Sequence, residues 1–255
     1  MILTRDDAGT GAHAAFRTAR AAEQQYARQL RAVAEQVGHI IRAFPEGTPD
    51  AAQRIGEMLQ SYSELIGPWA RAVARRMLAD VSSRNAKAWR QYAAQMSTAL
   101  RQELQRAPTG AAQAALLEQQ VGLIRSIPLD AAQKVHEWTR QGLLTGERPA
   151  QIAERIMDLT GITKRRATLI ARTEAGRAST TLTQARAEYV GSTGYIWRTA
   201  RDGAVRPSHR HMEGQFVRWD RPPTLDGMTG HCGSLPNCRC WPETVLPEIG
   251  ARAAG

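Results

Sequence analysis

"GHCGSLPNCRCWPE", residues 230–243, holds Cys232, Cys238 and Cys240, which are all the cysteines of a 255-residue chain. Thiols gathered so tightly in a chain that otherwise lacks them are a local structural device, and the redox compartment decides which kind. The opening "MILTRDDAGTGAHAAFRTAR" has no apolar run of signal-peptide length. No segment approaches the roughly 20 apolar residues of a membrane span. The expected setting is the cytosol, with no membrane partner, where clustered cysteines read first as metal ligands rather than as disulfides.

Upstream of that stretch the chain alternates. "GYIWRTARDGAVRPSHRHMEGQFVRW" (194–219) starts with Tyr195, Trp197 and Thr199 on one side, a strand pattern. "RDGAV" reads as a turn. "RPSHRHMEG" reads as a short helix with Pro207 in its first turn and Gly214 at its end. "QFVRW" resumes an extended strand. "DRPPTLDGMTGHCGSLPN" (220–237) is too polar and too rich in Pro and Gly to form an element, so a long loop is expected before "CRC" and "WPETV". The result is a small α+β unit of about 55–60 residues, a size with a thin core that usually needs a staple.

Zinc is such a staple, and a structural site takes four Cys or His ligands. The three cysteines leave one position open. His209 and His211 lie two apart on the short helix, so only one can face a given ion. His231 adjoins Cys232, and neighbours rarely share a metal. The set chosen is His209, Cys232, Cys238 and Cys240. Two other readings stand beside it: buried inert thiols, and a redox pair in a strained C-x-C. A catalytic reading also exists, because "HME" (211–213) matches half of the zinc deaminase signature. The other half should be P-C-x-x-C, and "PNCRC" has the wrong spacing. No G-x-S-x-G, Walker A or H-E-x-x-H occurs, so no enzyme activity is expected.

The rest of the chain reads as helix after helix. "AAFRTARAAEQQYARQLRAVAEQVGHIIRAF" spaces Phe16, Ala19, Tyr26, Leu30, Val33, Val37 and Ile40 by three or four. "PEGTPD" at 45–50 breaks it, with Thr48 or Asp50 as the next cap. Gly67-Pro68 opens a helix carrying Trp69, Val73, Met77, Trp89 and Tyr92. "APTG" (107–110), "IPLD" (127–130), "TGERP" (145–149) and "LTGIT" (159–163) mark further turns. A short helix lies at 150–158 and a last long one at 164–190. The expected fold is therefore mostly α, an irregular elongated helical bundle followed by a small zinc-stapled α+β unit. The expected divisions are a helical region (1–160), a long basic helix (161–190), the small unit (191–247) and a tail (248–255). The formal net charge is +10, which points toward nucleic acid or an acidic partner. On the long helix, Lys164, Arg165, Arg172, Arg177 and Arg186 are candidates for DNA or partner contact. A solvated face is the alternative, and no interleaved aromatics offer base stacking.

"LIARTEAGRASTTLTQARAEY" (169–189), "YIWRTARDGAVRPSHRHMEGQFV" (195–217) and "LPNCRC" (235–240), in that order, resemble the phage Mu protein F-like head morphogenesis family over about 160–245. The family includes a version with C-x-x-C where this chain has Arg206–His209, so the resemblance supports His209 as a ligand beside Cys238 and Cys240. It does not cover Cys232, which would have to replace the cysteine missing at Arg206. The resemblance implies a minor capsid protein acting in head assembly without catalysis. Its partners would be portal, capsid or scaffold proteins and possibly packaged DNA. It would work in the host cytoplasm, then in the head interior or at the portal vertex. Some relatives of this kind carry toxin domains; here the chain stops at 255, which argues against that role. The alternatives are a DNA-binding module with a zinc staple, or a zinc hydrolase.

Overall fold

The computed structural model describes residues 9–93, 102 and 106–246. The side chains of Phe16, Ala19 and Tyr92, and the expected tail over 248–255, lie outside the described residues. Helices dominate. In chain order they are α1 (Gly9–Arg42), α2 (Pro49–Leu65), α3 (Gly67–Ala93), α4 (Gly110–Thr145), α5 (Pro149–Met157) and α6 (Leu159–Tyr189). Then come β1 (Gly194–Thr199), α7 (Pro207–His211), β2 (Phe216–Arg218), β3 (Thr224–Leu225), β4 (Met228–Thr229) and β5 (Cys240–Val245). The backbone forms two compact units, one of Met1–Glu23, Met77–Leu116 and Arg172–Gly255, the other of Gln24–Arg76 and Leu117–Ala171.

The second unit is all helix. Leu30, Val37 and Ile41 of α1 are fully buried, as the 3–4 spacing requires. They continue into a core with Ile55 and Leu59 of α2, Val135 of α4 and Ile152 of α5. Thr48 caps α2, its hydroxyl accepting from the Ala51 N–H at 3.3 Å, and Pro49 fills the first helical position. Trp69, near the start of α3, is 36% exposed.

Two expected turns in this unit are helix instead. Pro128 of "IPLD" sits inside α4. A proline there removes one backbone donor and costs about 3 kcal/mol. Ile124, Ile127, Ala131 and Val135 nevertheless keep one buried face running across it. The disturbed ladder is also supported from α2, since Ser63 Oγ donates to Arg125 O and Arg125 Nε donates to Ser63 O, both at 3.0 Å. "LTGIT" is the first turn of α6, separated from α5 by Asp158 alone. Leu159 is fully buried and Thr163 Oγ1 donates to its carbonyl at 2.7 Å. Packing decides in both places against a local breaker signal.

The first unit carries the sheet, in the order β2-β1-β5 with both pairings antiparallel. β1 is central, and Tyr195, Trp197 and Thr199 all point inward, as the alternation predicts. Pro242 lies opposite Trp197 on β5, an edge strand, where its missing N–H does no harm. The core joins Trp89 of α3 and Ala187 of α6 to Tyr195, Trp197, Val217 and Trp219. The expected long loop is not irregular throughout. β3 and β4 form a hairpin, with Thr224 facing Thr229 and Leu225 facing Met228. Its turn is Asp226-Gly227, at φ 52° and 74°. Positive φ at both central residues is the type I′ geometry that Asp-Gly favours.

Candidate metal centre

Three elements deliver the site. α7 is short; Pro207 starts it, and it turns His209 inward to 1% exposure. β5 starts at Cys240, opposite Thr199 of β1. Cys238 lies two residues earlier, in the loop that feeds β5. His209 Nδ1 lies 3.4 Å from Cys238 Sγ and 3.5 Å from Cys240 Sγ. All three donor atoms fall within 4.8 Å of one another. A tetrahedral zinc, with Zn–S about 2.3 Å and Zn–N about 2.0–2.1 Å, has N···S edges of about 3.5 Å. The spacing and the soft S, S, N donor set therefore fit zinc, and this group could hold a metal ion.

The imidazole is placed by packing. Trp197 meets it edge-on at 5.5 Å between ring centres. His209 Nε2 is buried without a hydrogen-bond partner. The two remaining fixed points are the sulfurs.

The thiols are electrostatically unequal. Cys238 is pulled below the ordinary thiol range, first by a hydrogen bond from Cys240 and, against its burial, by bonds from His209 and the Gly233 N–H, the last at 3.2 Å. Cys240 is pushed up, first by that same bond to Cys238 and then by burial; the buried indole N–H of Trp197, directed at the sulfur, works the other way. Binding a cation here would require both thiols to give up their protons.

Cys232 is not one of the close group. It is fully buried, and burial, followed by the neighbouring Cys238, raises its thiol. Its backbone N–H donates to the Tyr195 hydroxyl at 3.3 Å. His211 points away: it is exposed, and its Nδ1 lies 2.9 Å from Pro207 O. Glu213 accepts from the Thr199 N–H and hydroxyl, each at 2.7 Å, and from Arg201 at 3.0 Å. The "HME" pair is therefore not assembled with the cysteines; Glu213 ties the turn after β1 to α7.

Sequence reasoning missed what holds the cysteine loop, which is α6. Thr180 Oγ1 donates to Cys232 O at 2.8 Å, Arg177 Nη2 to Ser234 O at 3.2 Å, and the Asn237 N–H to Thr173 Oγ1 at 3.2 Å. The approach is close: a Cβ on Gly176 would lie 2.7 Å from Gly233 O, and one on Gly233 2.5 Å from Thr180 Oγ1. The run Thr173, Gly176, Thr180 at helical spacing was the available signal, read only as part of a basic helix.

The candidate contact cations are mostly engaged within the chain. Lys164 pairs with Glu35 at 3.3 Å, Arg172 with Glu23 at 3.2 Å, and Arg177 with Glu174 at 2.7 Å. Arg165 is exposed. Arg186 is only 7% exposed and turned inward onto Asn85, so it is not part of an open basic face.

Residues 133–242 match the family described as "Phage Mu protein F like protein". The segment takes in His209, Cys232, Cys238 and Cys240. Among curated relatives, an uncharacterised protein of Haemophilus influenzae is 36% identical over 132 residues, 52% of this chain and 29% of that protein. The minor head protein GP7 of Bacillus phage SPP1 is 29% identical over 138 residues, 49% of this chain and 42% of that one. An Enterococcus faecalis protein named NAD(+)–arginine ADP-ribosyltransferase EFV is 32% identical over 131 residues, 47% of this chain and 27% of that one. The match thus spans less than half the length of each of these relatives. No solved structure matches. No described helix is long and apolar enough to cross a membrane.

Proposed function

We propose that this protein is a minor head protein of a tailed phage or prophage, acting in procapsid assembly. The observation that carries this reading is the family match over 133–242, strengthened by the similarity to a phage minor head protein. Its partners on this reading are portal and capsid or scaffold proteins, and its place is the host cytoplasm during assembly, then the head interior or portal vertex. The role is structural. The H-x-E pair is not part of the close group of His209 and the two thiols, and the only transferase name among these relatives belongs to a protein of which the match covers 27%.

The metal serves as a staple. His209, Cys238 and Cys240 would hold it, with the fully buried Cys232 as the candidate fourth ligand. A metal fixed by three strong ligands joins α7 to β5 and closes a unit with a small core. Contact with packaged DNA through Arg165 and its neighbours on α6 is a second reading, resting on the +10 net charge. The test is genetic and biochemical. Mass spectrometry of purified proheads and mature particles should find the chain in low copy, and deletion of its gene should reduce DNA-filled heads. Particles that lack the protein and assemble normally without it would remove the reading.

A further inference from the structure

Arg186 is an unusual arginine. It sits on α6 near the C-terminal end, 7% exposed. Its Nη1 donates to Asn85 Oδ1 of α3 and, at 3.5 Å, to Leu182 O. Asn85 is itself oriented: it is 1% exposed, and its amide nitrogen donates to Thr183 Oγ1 at 2.9 Å and to Ser179 O at 3.4 Å. The guanidinium is thus held from one side by neutral oxygens alone.

No carboxylate among the described residues pairs with it. The charged group that bears on it is another cation, the exposed Arg90 of α3; burial and that repulsion both weaken its hold on its proton. A buried cation without a counter-ion is costly, and folded chains usually supply one. Here both partners are neutral acceptors, an amide oxygen and a backbone carbonyl, and the nearby charge has the wrong sign.

The other edge of the guanidinium, Nε and Nη2, makes no hydrogen bond to the described residues, yet neither atom is among their sealed, unpaired polar atoms. The residual exposure of Arg186 therefore lies along that edge. Two parallel N–H groups on a fixed fork are the geometry that takes an oxyanion in a bidentate manner. Two guanidiniums with no carboxylate among the described residues call for a dianion; a single carboxylate would leave one positive charge uncompensated.

We infer that Arg186 and Arg90 form a binding site for a phosphate-class oxyanion, with Asn85 aiming the Arg186 fork and Arg90 closing over the anion from the solvent side. The site is independent of the head-assembly reading and of the metal centre. It also relocates anion recognition on this basic chain, from an open stripe along α6 to one positioned arginine at the α3–α6 contact.

The test uses the full-length protein and inorganic phosphate, titrated at constant ionic strength against chloride and followed by 31P NMR line width and by melting temperature. Saturable binding is expected. Arg90→Gln, an exposed change that leaves Asn85 and Arg186 in place, should weaken it about three- to fivefold. Arg186→Gln should weaken it more than about tenfold, and Arg186→Lys, which keeps charge but loses the fork, should not restore it. A short DNA duplex added to the phosphate complex identifies the source: displacement assigns the site to a nucleic-acid backbone, and no displacement assigns it to a small phosphate ligand. Absence of saturable phosphate binding by the wild type overturns the inference. So does an unchanged affinity in Arg90→Gln, which decides the matter even if Arg186→Gln fails to fold.

Discussion

Replacing Trp197 with alanine probes the small unit at its centre. Trp197 is fully buried on the middle strand, with His209 edge-on at 5.5 Å and Tyr195 at 6.4 Å. A tryptophan buries about 150–250 Å², which at about 25 cal/mol per Å² is about 4–6 kcal/mol of transfer free energy. Measured large-to-small changes of this kind cost about 3–5 kcal/mol after partial collapse. A domain has about 5–15 kcal/mol in all, so the variant unit should sit close to unfolding at room temperature. Phe216→Ala is the internal control: it lies on β2 of the same sheet but is 50% exposed, so about 1 kcal/mol is expected. Urea melts followed by near-ultraviolet circular dichroism, with limited proteolysis mapped by mass spectrometry, read both variants. Trp197→Ala should open cleavage sites within 194–246 while the α1, α2 and α5 peptides stay protected. A Trp197→Ala midpoint no lower than that of Phe216→Ala would refute the placement of the core.

Three further outcomes are expected. Gly233→Ala forces a Cβ into a φ of +81° and to 2.5 Å from Thr180 Oγ1, so about 1–3 kcal/mol should be lost in the same urea melts; a neutral result would mean that the cysteine loop does not lie against α6. Leu159→Ala, at a fully buried position in the helical unit, should cost about 2–5 kcal/mol, whereas a residue in a surface turn would cost almost nothing. For Glu213, burial raises the carboxyl, but the hydrogen bonds from Thr199 and Arg201 outweigh it and hold it below the ordinary value of 4.5. Its contribution is therefore complete above that value and lost as pH falls through the depressed one. Urea midpoints from pH 7 downward should fall more steeply in the wild type than in Glu213→Gln below about pH 5, and parallel curves would show that the carboxylate contributes nothing.

Much of the fold was written in local patterns. Spacing of three to four located the buried face of α1, and alternation at Tyr195, Trp197 and Thr199 identified the central strand with its inward face. Pro207 and Gly214 bracketed α7. The misses have a common physical cause, which is that local signals yielded to partners distant in sequence. Pro128 reads as a breaker because its cost is local, while the burial of Ile124 and Val135 and the support from Ser63 come from elsewhere. Leu159 reads as a turn residue because the core residues it joins on α1 and α2 are a hundred or more positions away. The Asp226-Gly227 hairpin is a different failure: the turn signal was present and was masked by the surrounding Pro and Gly. At the site, residue type gave His209, Cys238 and Cys240, which the fold brings together. It could not give the seat made by Thr173, Gly176 and Thr180, because three small residues on a long helix carry no mark of what lies on them. Nor could it distinguish Arg186 from its exposed neighbours, since only the position of Asn85 turns that side chain inward.

Metal content tests most directly whether His209, Cys238 and Cys240 hold an ion. Elemental analysis of protein purified without added metal or chelator should find about one zinc per chain. Cys238→Ser should lose it and become cleavable within 194–246. Cys232→Ser should weaken retention if Cys232 supplies the fourth ligand. Protein free of metal, with the segment equally resistant to protease in the wild type and in Cys238→Ser, would contradict the account: the three groups would then be a hydrogen-bonded cluster of a histidine and two thiols.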